Sequence, residues 1–247
     1  MLVLHTGSAL DKLRESGRVV ALVHRELKKE IVPGITTKYL NDLAEEIMLS
    51  EKALPAFKGY KQYPFATCCS VNEEIVHGFP NDRKLLEGDL LTVDVGVLKD
   101  GYISDAAFSI GVGKVKKETT DLIEASYEAL DCAISAIKEG VTTGTVGNII
   151  EACALRRGFN VVKNFTGHGC GRTLHEFPQI LNYGRPKEGV VLKEGASICI
   201  EPILIKGPAQ NKRLSDGWTI VSNTGARSCH VEHHVIVHKD FAEVITI

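Results

Sequence analysis

Apolar residues recur at helical spacing between about Ala9 and Ile31, where Leu13, Val19, Val20, Val23 and Leu27 are separated by Lys, Arg and Glu. Pro33-Gly34 ends this predicted helix. Thr36 or Thr37 can then cap a second helix carrying Leu40, Leu43, Ala44, Ile47 and Met48. The pattern returns later in the chain. A helix from about Thr119 to Lys138 carries Leu122, Ile123, Ala129, Ile134 and Ile137 and stops at Glu139-Gly140. Thr142-Thr143 then precedes a helix with Val146, Ile149, Ile150 and Ala154. Gly34 aligns with Gly140, Thr36-Thr37 with Thr142-Thr143, and Glu45 with Glu151. Turn residues match as well as the apolar stripe, which favours an internal duplication over chance.

Each helix pair is followed by strand-like segments. Leu90 to Val97 is nearly continuously apolar, broken by Thr92, Asp94 and Gly96, and Asp100-Gly101 is a hairpin signal before a return strand from Tyr102 to Ile110. Ser197 to Ile205 and Val231 to Val237 also read as strands, with a polar loop expected over Gly207 to Asp216. No linker or low-complexity segment suggests a domain boundary.

Acids inside these apolar runs are the informative residues. Asp94 sits within Leu91 to Val95, Glu201 within Ile198 to Leu204, and Glu232 beside Val235 to Val237. Each taken alone reads as a residue on a solvent-facing strand edge. Buried, each must be paired, neutralised or metal-bound. Register sharpens the choice for Asp94 and Asp105. A four-residue hairpin loop puts them directly opposite, a two-residue Asp100-Gly101 turn puts them diagonally on one face, and a bulge or three-residue loop separates them. Like charges on one face repel unless a cation lies between them. His168 stands between Gly167 and Gly169, where backbones can approach closely, and His175-Glu176 follows. Four carboxylates and one imidazole form an oxygen-rich set whose charge balances two divalent cations. Such a set suits Mn, Fe(II) or Co, with Zn also compatible, rather than the Cys-rich tetrahedron of structural zinc. Two such cations can activate water for hydrolysis.

Composition narrows the context. The 247 residues allow one large domain or two small ones, and 44% hydrophobic with 24% charged residues is ordinary for a soluble globular protein. A net charge of −2 carries no footprint for nucleic acid, and the basic run Lys114, Lys116 and Lys117 is followed at once by Glu118 and Asp121. No signal peptide or membrane span is visible. Seven cysteines without a CxxC pattern read as free cytosolic thiols.

Taken together, His77-Gly78-Phe79-Pro80, Val93 to Gly96, Gly101 to Asp105, Gly167 to Gly169, His175 to Pro178, Glu201-Pro202 and Ser228 to Glu232 resemble, in order and spacing, the type I methionine aminopeptidases. The resemblance covers essentially the whole chain. It implies the α/β (α+β) pita-bread fold: one metallopeptidase domain over 1–247, with two pseudo-symmetric halves of about 1–112 and 113–247 around an antiparallel sheet covered by helices. It implies removal of the amino-terminal methionine of nascent polypeptides when the next residue is small. By position, Asp94, Asp105, His168, Glu201 and Glu232 resemble the ligands of two divalent cations, with Asp105 and Glu232 bridging. Glu201 also resembles the proton carrier. His175 resembles the group that bonds the scissile carbonyl oxygen, and His77 the group that contacts the scissile amide. Read alone, His77 is a loop residue beside a turn.

The methionine pocket of the family maps onto Tyr60, Tyr63, Cys68 and Trp218, an aromatic cup suited to a thioether. On sequence alone, packing explains Trp218 as well as contact does. Five positions depart from the family pattern. Phe57 replaces a small residue, Leu174 replaces an aromatic, and Cys229, His230 and His234 stand where Ala, Gln and Thr are common. At period two His230 and Glu232 share a strand face, which would bring His230 near the cations as an outer contact or a modifier of the pH profile. A histidine with no role is the alternative. The resemblance also implies a monovalent cation near Asn72, Glu74 and Ser228. The expected setting is a cytoplasmic monomer with transient ribosome contact and no membrane or nucleic-acid binding. Two alternatives stand beside this reading. One is a prolidase-like or aminopeptidase P-like enzyme, a class that usually carries an additional amino-terminal domain, for which the motif-bearing fold leaves no room in 247 residues. The other is a non-catalytic binding relative of the same fold.

Overall fold

The computed structural model describes every residue from Met1 to Ile247. Helices α1 (Ser8–Glu30) and α2 (Thr37–Ser50) form the first pair. Thr36 caps α2 by accepting a hydrogen bond from the Tyr39 backbone N–H at 3.1 Å, which satisfies a donor with no partner inside the helix. Helices α3 (Lys117–Ala136) and α4 (Thr143–Arg156) repeat the arrangement, and Thr142 accepts from the Thr145 N–H at 3.3 Å. Helix α3 lies about two residues earlier than its periodicity suggests, because Ile137 already has extended backbone while its side chain stays buried. Each pair turns through a positive-φ glycine, Gly34 at 98° and Gly140 at 89°. Each capping threonine forms an isolated antiparallel bridge, Thr36 to Lys84 and Thr142 to Val191.

In the first half, β4 (Leu90–Lys99) is flanked by β5 (Tyr102–Gly111) on one side and by β1 (Leu54–Pro55) and β2 (Thr67–Val71) on the other. Strand side chains alternate between faces, so Val93, Val95 and Val97 with Ala106 and Phe108 pack under α1 and α2. Fully burying each such Val, Leu or Phe stabilises the fold by roughly 1.5–3 kcal/mol. The opposite face is left to Asp94 and Asp105.

The second half holds a five-stranded sheet in the order β15 (Ala242–Val244), β14 (His233–Val237), β9 (Ser197–Ile200), β7 (Gly167–Gly169), β8 (Glu176–Ile180). Ile198, Ile200, Val235 and Val237 pack under α3 and α4. A three-stranded sheet joins β13 (Ser228–His230), β10 (Ile203–Ile205) and β6 (Asn160–Val161). Another joins β11 (Asn211–Arg213), β12 (Ile220–Ser222) and β3 (Glu74–Val76). All pairings are antiparallel. No helix is long and apolar enough to cross a membrane.

Three sequence expectations need correction. The run Ser197 to Ile205 is two strands in different sheets, broken at Glu201-Pro202, because Pro202 has no N–H for the ladder. The run Val231 to Val237 likewise begins with a break at Val231-Glu232, between β13 and β14. Gly207 to Asp216 is not wholly loop, since Asn211–Arg213 pairs with Ile220–Ser222. Its polar side chains hide a strand exposed at a sheet edge.

A polar clamp joins the two halves. His234 on β14 lies with Nδ1 2.9 Å from Ser104 Oγ of β5 and Nε2 2.6 Å from Ser197 Oγ of β9. All three side chains are buried.

Candidate metal centre and active site

The β4–β5 hairpin closes through a two-residue turn, with Lys99 paired to Tyr102 and positive φ at Asp100 and Gly101. Asp94 then pairs with Ala107 and Gly96 with Asp105, so the two acids stand diagonally on one face. This is the diagonal arrangement among the registers open to the sequence.

The second pair of acids arrives through the strand breaks. Strands β9 and β10 face β14 and β13 respectively, with Ile200 opposite His233 and Ile203 opposite His230. The breaks therefore meet, and the Val231 N–H donates to the Pro202 carbonyl at 3.2 Å. The Glu232 N–H donates to the Ala107 carbonyl at 2.9 Å, which ties the break to the hairpin. Asn182 donates to the Glu201 carbonyl at 2.9 Å and holds the other break. Asn182 escaped the sequence reading, because nothing marks an isolated asparagine before the break it serves is known.

His168 is placed by its glycines. A Cβ at Gly167 would lie 2.3 Å from the Cys199 carbonyl oxygen, and one at Gly169 would lie 2.6 Å from that of Phe177. Only glycine permits those approaches. His168 Nδ1 lies 3.0 Å from the Gly169 carbonyl oxygen, which fixes the proton on Nδ1 and leaves Nε2 as the free lone pair. That Nε2 faces Asp105 Oδ2 at 3.9 Å and Glu201 Oε1 at 3.7 Å.

Ligand atoms of Asp105, His168 and Glu232 lie within 4.8 Å of one another. Asp94 Oδ1, Asp105 Oδ1 and Glu232 Oε1 are buried with no hydrogen-bond partner. Such orphaned acceptors are costly unless a cation or proton meets them. Burial raises the Asp94 pKa to about 7. Burial raises Asp105, Glu201 and Glu232 well above the ordinary carboxylate range, and neighbouring carboxylates add to it. A set of four clustered acids and a neutral imidazole fits divalent cations on both charge and donor type.

Above the acids is a cavity of about 280 Å³. Its lining includes every catalytic, divalent-metal and substrate residue expected from the sequence, namely Tyr60, Tyr63, Cys68, His77, Asp94, Asp105, His168, His175, Glu201, Trp218 and Glu232, while Asn72, Glu74 and Ser228 lie outside it. Tyr63 and Trp218 meet edge to face at 5.0 Å, and the Tyr63 hydroxyl donates to the Thr67 carbonyl at 3.0 Å, so its ring is a fixed apolar wall. His175 Nδ1 lies 2.9 Å from the Tyr60 hydroxyl, and its ring lies 4.3 Å from that of His168. His77 has positive φ and sits edge-on to Trp218. Burial lowers its pKa to about 4, which keeps it neutral near pH 7. Phe57 also lines the cavity, and a Cβ at Gly96 would lie 2.5 Å from its ring. The glycine opposite the Phe57 ring thus admits the larger side chain. Leu174 and His230 complete the lining, with Lys61, Val76, Asn164, Phe165 and Thr166, five residues the motifs did not mark.

Known proteins resemble this chain over its whole length. The model of Metallopeptidase family M24 matches residues 11–239. Methionine aminopeptidase 1 of Bacillus subtilis is 38% identical over 246 residues, covering 100% of this chain and 99% of that protein. The crystal structure of methionine aminopeptidase from Thermotoga maritima superposes with a TM-score of 0.98 at 42% identity, covering 100% of this chain and 99% of that one. Prolidase from Pyrococcus furiosus shares the fold at a TM-score of 0.82 and 24% identity, covering 99% of this chain but 65% of that one. The architecture is accordingly the pita-bread fold, with helices covering antiparallel sheets.

Proposed function

The chain belongs to metallopeptidase family M24, and we propose that within it this protein is a methionine aminopeptidase, removing the amino-terminal methionine of nascent proteins when the second residue is small. The observation that carries the reading is the meeting of four buried acids with an aromatic cavity whose walls are Tyr63 and Trp218. The full-length likeness to methionine aminopeptidases supports it over a prolidase.

We assign Asp94, Asp105, His168, Glu201 and Glu232 as the residues that would hold two divalent cations. Bound there, such cations supply Lewis acidity and a lowered pKa for water. The residues of the chain do the rest. Tyr60, Tyr63, Cys68 and Trp218 receive the methionine side chain and exclude water around it. Glu201 takes a proton from the attacking water and delivers it to the leaving amine. His175 donates to the carbonyl oxygen as negative charge develops there. The neutral His77 ring contacts the scissile amide.

The same reading takes 1–247 as one domain of two related halves, supported by the matched caps, glycines and bridges. It takes the protein as a cytoplasmic monomer that meets nascent chains near the ribosome. A monovalent cation is assigned to Asn72, Glu74 and Ser228, where Ser228 binds the Asn72 and Glu74 carbonyls at 3.0 and 3.2 Å.

The test is hydrolysis of Met-Ala-Ser and of Xaa-Pro peptides before and after chelation, with Mn, Fe(II), Co and Zn added back singly. Met-Ala-Ser cleavage that chelation abolishes and metal restores is expected. Cleavage of Xaa-Pro alone overturns the assignment in favour of a prolidase. No turnover with any metal overturns it in favour of a binding protein.

A further inference from the structure

We infer that His230 is a sixth protein ligand of the metal centre, giving it two imidazoles and four carboxylates. The inference rests on the metal-dependent reading above and adds a donor to it.

His230 is 3% exposed, and its Nε2 is buried without any hydrogen-bond partner. That atom lies 3.8 Å from Glu201 Oε2 and 3.7 Å from Glu232 Oε2. Both separations are too long for hydrogen bonds. They match the separations of His168 Nε2, at 3.7 Å from Glu201 Oε1 and 3.9 Å from Asp105 Oδ2. Donors that share one ion at roughly 2.1 Å each stand about 3–4 Å apart. The two imidazoles therefore flank Glu201, one at each carboxylate oxygen, at ligand spacing.

The backbone holds the ring in place. His230 ends β13 opposite Ile203, and its carbonyl accepts from Ser109 Oγ at 2.7 Å. Immediately after it the strand breaks, which brings Glu232 round to the same side. A buried imidazole nitrogen with no partner is otherwise a net cost, and a cation shared with the two carboxylates would satisfy it. An added nitrogen donor shifts preference toward Zn(II), Co(II) and Fe(II) and away from Mn(II).

The test uses the full chain labelled with ¹⁵N-histidine, freed of metal by chelation and titrated with Zn(II) alone. Long-range ¹H–¹⁵N spectra report each imidazole nitrogen. The His168 and His230 Nε2 signals are expected to move together to the ligated position, with each assigned by its loss in His168→Gln or His230→Gln. Equilibrium dialysis is expected to show zinc and cobalt affinity falling about tenfold or more in His230→Gln, with a smaller change for manganese. If His230→Gln does not fold, through-bond assignment of the wild-type spectrum decides the matter. A His230 signal that stays put while His168 responds overturns the inference. Met-Ala-Ser cleavage with a silent His230 sinks only this inference. Zinc on both rings without peptide cleavage sinks only the functional reading.

Discussion

The β4–β5 hairpin and the facing strand breaks each bring two acids to one cavity, by opposite routes. The hairpin is regular. Its ladder is unbroken from Leu90 and Gly111 to the turn, and period-two alternation alone puts Asp94 and Asp105 on the face away from the helices. The breaks are irregular. Glu201 and Glu232 lie outside the ladders, and bonds from Asn182, to Ala107 and from Val231 to Pro202 hold the two segments. Regular pairing places an acid at low cost to the fold but at fixed height. A break costs ladder bonds and allows the carboxylate to be aimed.

The largest effect that would test this contrast comes from Asp105→Asn. Removing one buried charge from the cluster should lower kcat/KM for Met-Ala-Ser by about a thousandfold, as expected if Asp105 is one of the residues that would hold a divalent cation. The same change should raise the stability of the metal-free protein by about 1–3 kcal/mol in urea unfolding, since a neutral amide is easier to bury than a fourth carboxylate. Unchanged or lowered metal-free stability would mean that the acids do not strain the fold.

The two routes should then separate under backbone changes. Pro202→Ala gives the break a ladder donor again, and we expect kcat/KM to fall by about tenfold while stability changes by under about 1 kcal/mol. Gly101→Ala, at a φ of 78°, should do the reverse. It should cost about 1–2 kcal/mol in thermal or urea unfolding and leave kcat nearly intact. Equal kinetic loss in both variants would erase the distinction between the regions.

The smallest effect concerns pH on the hairpin side. His24 of α1 is buried, lies 3.1 Å from the Ala106 carbonyl oxygen through Nε2, and has its pKa lowered to about 3 chiefly by burial. Its folded pKa is below the unfolded value near 6.5, so the unfolded chain binds the extra proton. The contribution is fully present above about pH 6.5 and is lost toward pH 3, with a slope of at most about 1.4 kcal/mol per pH unit. His24→Leu should flatten that acid limb in urea titrations, and an unchanged limb would remove His24 as its source.

The regions also differ in how far they can be read from sequence. The hairpin was legible because Asp100-Gly101 signals a tight turn, but its register stayed open among three loop lengths, and the pairing of Lys99 with Tyr102 selects the two-residue turn. All four helices were legible from their apolar stripes, and α2 and α4 also from their capping threonines. The breaks were not, because Ile198 to Leu204 is as apolar as a continuous strand, and only Pro202 hints at interruption. The strand at Asn211–Arg213 was masked by its polar side chains. The acids themselves stood out in both regions, since a carboxylate in an apolar run needs a reason wherever the strand ends. Asn182 and the His234 clamp have no local signature, because their partners lie far away in the chain.

That clamp has a consequence for how the halves stay in step. The hairpin acids hang from one half and the break acids from the other, and each half has its own oily core. Smaller apolar clusters cross the seam between them, and the clamp adds a directional link. His234, held at one nitrogen by Ser104 and at the other by Ser197, works as a gauge block across the seam. A neutral ring has one donor and one acceptor, so one serine gives its proton and the other receives. The block therefore has a polarity, and thermal breathing between the halves must break a directed three-member chain before the acids can drift apart.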